Sequence, residues 1–389
     1  MELLMIAARY IAIALSLALL SSGCTRTYKL KRDAVSAEGA WLSSHGTVSN
    51  LGATDKSGFS GRLTPIWESS FGGKPAGPLA IHNGALIYPE TKKRLKFLDC
   101  LTGRTLGQLK TKGLPQTGVA VQDSLAFYGI GPKRNRLIAV DLMRHKSLWS
   151  QEIKDASRGP IIVDDRLIVS SGDGILAALA LDDGELLWEY STEARFEVSA
   201  SYADGILWQP DDRGELIVLS VTDGTERFRV KLGAPSVGAA AVADKVYVTG
   251  VTGQVRALGK SDGALVWQTD LGEPIWTTPA VAHGRVYVGH SGGEIVALDA
   301  AGGEIAWRQP LGAVVKASPI AVGPFVVAGT MAGRLVVLDG ADGAVVDSAQ
   351  LEGAIEFSPV TDGRRVFAAT QKGKLVCFGE NHDQSRDTD

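Results

Sequence analysis

Cysteine is scarce in this chain: Cys24, Cys100 and Cys377 stand far apart among 389 residues. A disulfide framework or a structural zinc site needs closely spaced cysteines, so both are excluded. Histidine is thin as well, and His45, His82, His145, His283, His290 and His382 show no metal-ligand spacing. A surplus of one charge is also missing, because 40 basic side chains face 43 acidic ones for a formal −3. That balance excludes a nucleic-acid partner, whose phosphates call for a basic stripe. The longest basic cluster, PKRNR at residues 132–136, falls at a hairpin tip and reads as a solvated loop. Long apolar runs are absent too. The one from Tyr10 to Leu20 is about half of the roughly 20 residues that a membrane-spanning helix needs.

What the N-terminus does carry is an export signal. Residues 1–23 place Arg9 before that apolar run and small residues before Cys24. Residues 24–62 are rich in Ser, Gly, Thr and charge without a sustained apolar period, and read as a tether and lead-in. Residues 63–379 behave differently, and residues 380–389 end the chain as a polar tail.

Three registers recur through residues 63–379. A turn residue precedes an apolar strand at Asn83, Asp123, Asp164, Asp204, Asp244, His283, Gly323 and Asp362, in steps of 39 to 41. A second turn follows at Lys93, Asn135, Gly174, Gly214, Gly253, Gly293, Gly333 and Gly373. Lys tolerates the left-handed backbone poorly, so the first copy is expected to have a longer or reshaped loop. The third register is an outer glycine at Gly103, Gly184, Gly224, Gly263, Gly303 and Gly343, followed four residues later by Gly107, Trp188, Phe228, Trp267, Trp307 and Asp347. Trp149 keeps that beat where LMRHK replaces the glycine turn, and Trp67 precedes the first full copy.

Runs such as RVYVGH and EIVALDA are too short and too often interrupted for helices. Four such strands form a sheet apolar on both faces, which is buried only by stacking between neighbours. A period of about forty residues is then the mark of a β-propeller. The predicted fold is all-β: eight four-stranded antiparallel blades, with the tryptophans filling the wedges between blades far from the axis. The last three strands lack an outer strand and the segment around LTPIWESSF lacks three inner ones. Pairing them closes the ring and removes the exposed edges.

Residues 284–307, reading turn, VYVG, glycine turn, ALD, AAGG and Trp, resemble the pyrroloquinoline-quinone-type repeat. Eight such blades behind a lipoprotein-type signal resemble the BamB family of lipoproteins, which serve the machinery that folds β-barrels into the bacterial outer membrane. The lead-in GAWLSSHGTVSNLG is similar to the stretch preceding many such propellers. The resemblance implies lipidation of Cys24, sorting to the periplasmic face of the outer membrane through Thr25, and a BamA-like barrel-inserting subunit as partner. It also implies docking through the connection from an outer strand to the next blade. Here that connection is STEARFEVSAS, residues 191–201, and the contact residues are Glu193, Arg195, Phe196 and Glu197, with Arg195 and Phe196 reading as an exposed charged and aromatic pair against the alternative of a buried Phe beside an incidental Arg. The next connection, KLGAPSVGAAA at residues 231–241, is short and apolar where the family can carry a long acidic loop.

Two other functions are weighed. A general exported propeller would bind a carbohydrate or protein through its axial funnel. A quinoprotein dehydrogenase would need calcium ligands, a catalytic carboxylate and, in many cases, adjacent cysteines, with longer loops than this chain has. The acidic turns PDDRGE and SGDG occupy the hairpin slot of HSGG, which has no carboxylate, so hairpin chemistry accounts for them. No catalytic residue, metal ligand or cofactor is assigned. Cys100 and Cys377 fall on blades adjacent around the ring, and the sequence leaves their pairing open because disulfide geometry is strict.

Overall fold

Turn residues cut the chain into strands of two to seven residues, and no helix occurs among the described residues. The structure is a computed structural model that describes residues 51–54, 57–131, 135–144, 146–155 and 158–380. The export signal and Cys24 lie outside the described residues.

Eight sheets surround an axis. Blades 1 to 7 occupy residues 80–110, 120–152, 161–191, 201–231, 236–270, 280–310 and 320–350, and the eighth joins residues 360–378 to Pro65–Ser70. Blade 3 shows the plan: Ile161–Val163, Arg166–Ser170, Ile175–Ala180 and Leu186–Ser191 pair in sequence order from the axis outward. The first turn takes a left-handed residue in each copy where one is needed, with φ of 48° at Asn83, 53° at Asp164 and 51° at His283. His283 also contacts the next blade, its Nε2 2.8 Å from the Gly323 carbonyl. Lys93 departs from expectation. Its loop is not longer, and the residue itself adopts φ 60°, held by its N–H on Glu90 O at 3.1 Å and by Thr111 N–H on its own carbonyl at 3.0 Å.

The outer wedges follow a pairing rule. Each indole donates to a carbonyl of the next blade: Trp67 to Cys100, Trp149 to Leu181, Trp188 to Val221, Trp267 to Ala300 and Trp307 to Gly340, at 2.9–3.1 Å. The ring then lies on the outer glycine of that blade. A β-carbon on Gly303 would stand 2.5 Å from Trp267 and one on Gly343 2.6 Å from Trp307. Besides the left-handed turn, the glycine register therefore reflects a close approach to an aromatic plane. Blade 4 redistributes bulk: Phe228 takes the tryptophan place while Trp208, fully buried, meets it edge-on at 5.8 Å.

The ring closes as the sequence predicts. Pro65–Ser70 pairs antiparallel with Lys374–Phe378, Trp67 opposite Cys377. The lead-in contributes more than a tether. Ala53–Thr54 adds a parallel strand to Ile320–Val322, the axial strand of blade 7, and the Leu51 carbonyl accepts Val281 N–H from blade 6 at 2.9 Å. Phe59 then meets Phe325 edge-on at 6.0 Å, and Leu63 N–H donates to Asp347 Oδ2 at 2.9 Å. Asp347, standing where other blades carry an aromatic, thus holds the incoming chain. Cys100 and Cys377 are free thiols in one buried cluster, with Cys377 Sγ 4.0 Å from the Cys100 carbonyl. Burial pushes both thiols up, Cys377 to about 12.

Candidate functional site

Strand direction alternates within each blade. Connections from a fourth strand to the next first strand therefore share one end of the ring with the second-to-third hairpins, and the remaining turns share the other. The segment 192–200 lies on this connection face. Arg195 N–H donates to Asp212 Oδ1 at 2.8 Å and Asp212 N–H returns to the Arg195 carbonyl at 3.0 Å, tying the connection to the blade 4 hairpin.

Side chains alternate along this extended segment. Glu193, Arg195 and Glu197 point outward, while Ala194 and Phe196 are buried. The exposure expected for Phe196 is therefore corrected: it is 0% exposed, packed in the core between blades 3 and 4, and its carbonyl accepts Arg158 Nε–H at 2.9 Å. Neighbours in an extended chain face opposite ways, so Arg195 and Phe196 cannot share a surface. The repeat carried this signal, because Ile275, Val315 and Ile355 hold the same place one blade apart and are equally buried.

A mixed ion cluster covers the segment. Arg195 lies 3.6 Å from both Asp155 and Glu197, Arg158 pairs with Glu197, and Arg213 is 3.4 Å from Glu193. Beneath it, buried Gln209 donates to the Val198 and Pro210 carbonyls at 3.0 and 2.8 Å and accepts from Ser170 Oγ at 2.6 Å. Exposed pairs of this kind contribute little to stability, so they can be exchanged for a partner's charges at small cost over a rigid base.

The same face carries an aromatic that sequence reasoning passed over. Trp276 is 49% exposed on the connection into blade 6, with Val314 39% exposed on the following one. Trp276 lies off the wedge register, in the place of Glu197, Lys316 and Glu356, and that displacement was its available signal.

The axial mouth opens on this face as a cavity of about 270 Å³, walled by small residues including Gly118, Gly159, Ser199, Gly238 and Ser318. Its carboxylates are engaged, Glu197 with Arg158 and Glu356 with Gln371. Among the described residues no three His, Cys, Asp or Glu side chains gather in a metal-holding group. This donor set does not fit a calcium-bound quinone. The acidic hairpins serve their own turns: Asp211 Oδ1 accepts Arg213 and Glu215 N–H at 3.0 and 2.7 Å, and burial pushes its pKa up.

Comparison with known proteins agrees with this architecture. The family model described as outer membrane protein assembly factor BamB matches residues 91–240 and 212–388. BamB of Alkalilimnicola ehrlichii is 29% identical over 139 residues, 33% of this chain and 36% of that protein. BamB of Nitrosomonas eutropha is 24% identical over 228 residues, 54% of this chain and 55% of that protein. The matched stretches thus span about a third and about half of these curated relatives. Among solved structures, BamB from Moraxella catarrhalis superposes with a TM-score of 0.71 at 17% identity, covering 82% of this chain and all of that one. A europium-containing methanol dehydrogenase reaches 0.78 at 12% identity over 88% of this chain and 98% of its own. At such identities the structural likeness establishes the propeller fold alone.

Proposed function

The chain belongs to the BamB family, and from that membership we propose that it is a non-catalytic docking scaffold of the outer-membrane β-barrel assembly machinery. In this reading Cys24 carries the lipid that holds the ring at the periplasmic face of the outer membrane. The connection face binds the periplasmic part of a BamA-like barrel-inserting subunit. Glu193, Arg195 and Glu197 supply exchangeable charges, and Trp276 supplies an exposed aromatic of the kind that anchors interfaces. Phe196 supports the segment from below and makes no direct contact.

The observation that carries the reading is the alternation in residues 193–197: outward charges on a segment locked by Phe196 and Gln209. It favours docking over an axial ligand, because the lead-in strand Ala53–Thr54 already covers the axial edge of blade 7. It favours docking over quinone chemistry, because the mouth lacks a suitable donor set among the described residues.

Recovery of the protein from mildly solubilised membranes tests this proposal. Barrel-assembly subunits are expected to co-purify, and Arg195→Glu is expected to lower their recovery about tenfold through like-charge repulsion while the melting curve stays unchanged. Undiminished recovery with the variant would remove this segment from the interface. Consistent absence of those subunits would remove the function.

A further inference from the structure

Two tryptophan places carry no aromatic, Gly107 and Asp347, and at the second the incoming chain is held by Leu63 N–H on Asp347. Between blades 1 and 2 the tryptophan place is Gly107, and in the sequence register of the outer glycine stands His145, which lies outside the described residues. Indole and glycine are thus missing together. The same wedge holds a cavity of about 400 Å³, within the size range of sites that take a bulky apolar group.

Its lining is mixed. Leu109, Ile130, Ile138 and Val140 make an apolar floor, and Lys110, Lys112 and Arg136 bring three cations to it. Lys110 and Lys112 are exposed. Arg136 is braced on Ser150 by two bonds of 2.6 and 2.7 Å, with Glu152 opposite it in the strand register as the nearest acidic counterpart along that pair. Tyr128, 2% exposed, also lines the cavity. One blade earlier, its counterpart Tyr88 donates to the Gly73 carbonyl at 3.1 Å. In blade 2 the corresponding Gly113 carbonyl accepts from Thr111 Oγ1 at 2.7 Å.

We propose that this wedge is a second docking site, which receives an aromatic side chain flanked by carboxylates from an acidic segment of a partner polypeptide. The apolar floor takes the ring that the chain does not supply itself. The lysines and Arg136 face the flanking carboxylates. Charge complementarity selects an acidic partner over a basic one. The site lies in the outer wedge between blades 1 and 2, with Lys112 on the connection into blade 2, and it rests on none of the residues 193–197.

The test uses the full chain and an acetylated pentapeptide, Glu-Asp-Trp-Asp-Glu, with a fluorine on the indole, followed by fluorine NMR. The acidic peptide is expected to shift and broaden on binding, and a peptide with lysines in place of its acids is expected to remain free. Lys110→Glu with Lys112→Glu should weaken binding at least about tenfold. Gly107→Trp with His145→Gly, which restores the pair found in other wedges, should abolish it. Circular dichroism verifies folding, and if the refilled variant does not fold, the charge-reversed one decides. No shift at millimolar peptide, equal binding of the basic peptide, or undiminished binding by a folded variant would overturn the proposal.

Discussion

At the residue scale, the tryptophan and the glycine it covers act as one unit across two blades. Trp307 is 8% exposed, donates to the Gly340 carbonyl at 3.1 Å and leans on Tyr287 at 5.8 Å. Trp307→Ala removes the filling of a wedge that cannot collapse, because the blades are held at fixed angles by the ring. A loss of about 3 kcal/mol is expected, read as a lower urea midpoint at unchanged slope. Histidine supplies a pH dependence. His290 is 2% exposed, and its Nδ1 accepts Gly292 N–H at 3.1 Å. Burial holds its pKa below the ordinary 6.5, outweighing the pull of Glu294 at 3.4 Å. His82 shifts the same way, also through burial. With folded values below the unfolded one, the unfolded chain binds more protons on acidification. This contribution to stability is full above pH 6.5 and falls as pH drops below it. His290→Thr, copying Thr330 of the next blade, should flatten the fall in urea midpoint between neutral and mildly acidic pH. The wedge role of the tryptophans was legible because it repeats at fixed spacing. The orientation of Phe196 was equally written in the alternation EARFE, and was obscured by weighing residue type ahead of strand geometry.

At the element scale, the strands follow from turn chemistry. Asn, Asp or Gly ends most runs at the left-handed positions, with Lys93, Ala243 and His283 as departures, and the runs are rich in Val, Ile, Leu and Ala. Two elements resisted. Lys93 adopts a left-handed backbone that its side chain disfavours, because the ladder on both sides leaves the loop no other closure. Ala53–Thr54 is too short to announce itself, and its pairing partner lies hundreds of residues away in the chain, where no local pattern reaches. The clasp strand Pro65–Ser70 was legible by count, as the outer strand missing from the last blade. Deleting residues 63–71 takes away that strand, the Trp67 wedge and the Leu63 bond to Asp347 together. The expected loss is on the order of 5 kcal/mol, a large part of a domain's margin, seen as a melting temperature lower by about 10 °C or more with a broadened transition.

At the scale of the whole molecule, the ring is a rigid support with distinct ends. One carries the exposed charges of residues 193–197 with Trp276, and the lead-in reaches the blades along the axial edge of blade 7. If Cys24 bears the anchor, Cys24→Ala should shift the protein from the membrane to the soluble fraction while the melting curve of the ring is retained, and continued membrane attachment would refute lipid anchoring. The sequence by itself determined the period, the blade number, the closing strand and the wedge aromatics. Each of these rests on a local backbone requirement or on a contact between neighbours one repeat apart, and such constraints recur visibly along the chain. Only the tertiary structure decided the burial of Gln209, the docking of the lead-in on blade 7 and the cavity left at Gly107. It alone decided, too, that Cys100 and Cys377 lie close as free thiols. Those features depend on how packed blades divide the space between them, and that volume is a property of the assembled ring, which no stretch of chain encodes alone.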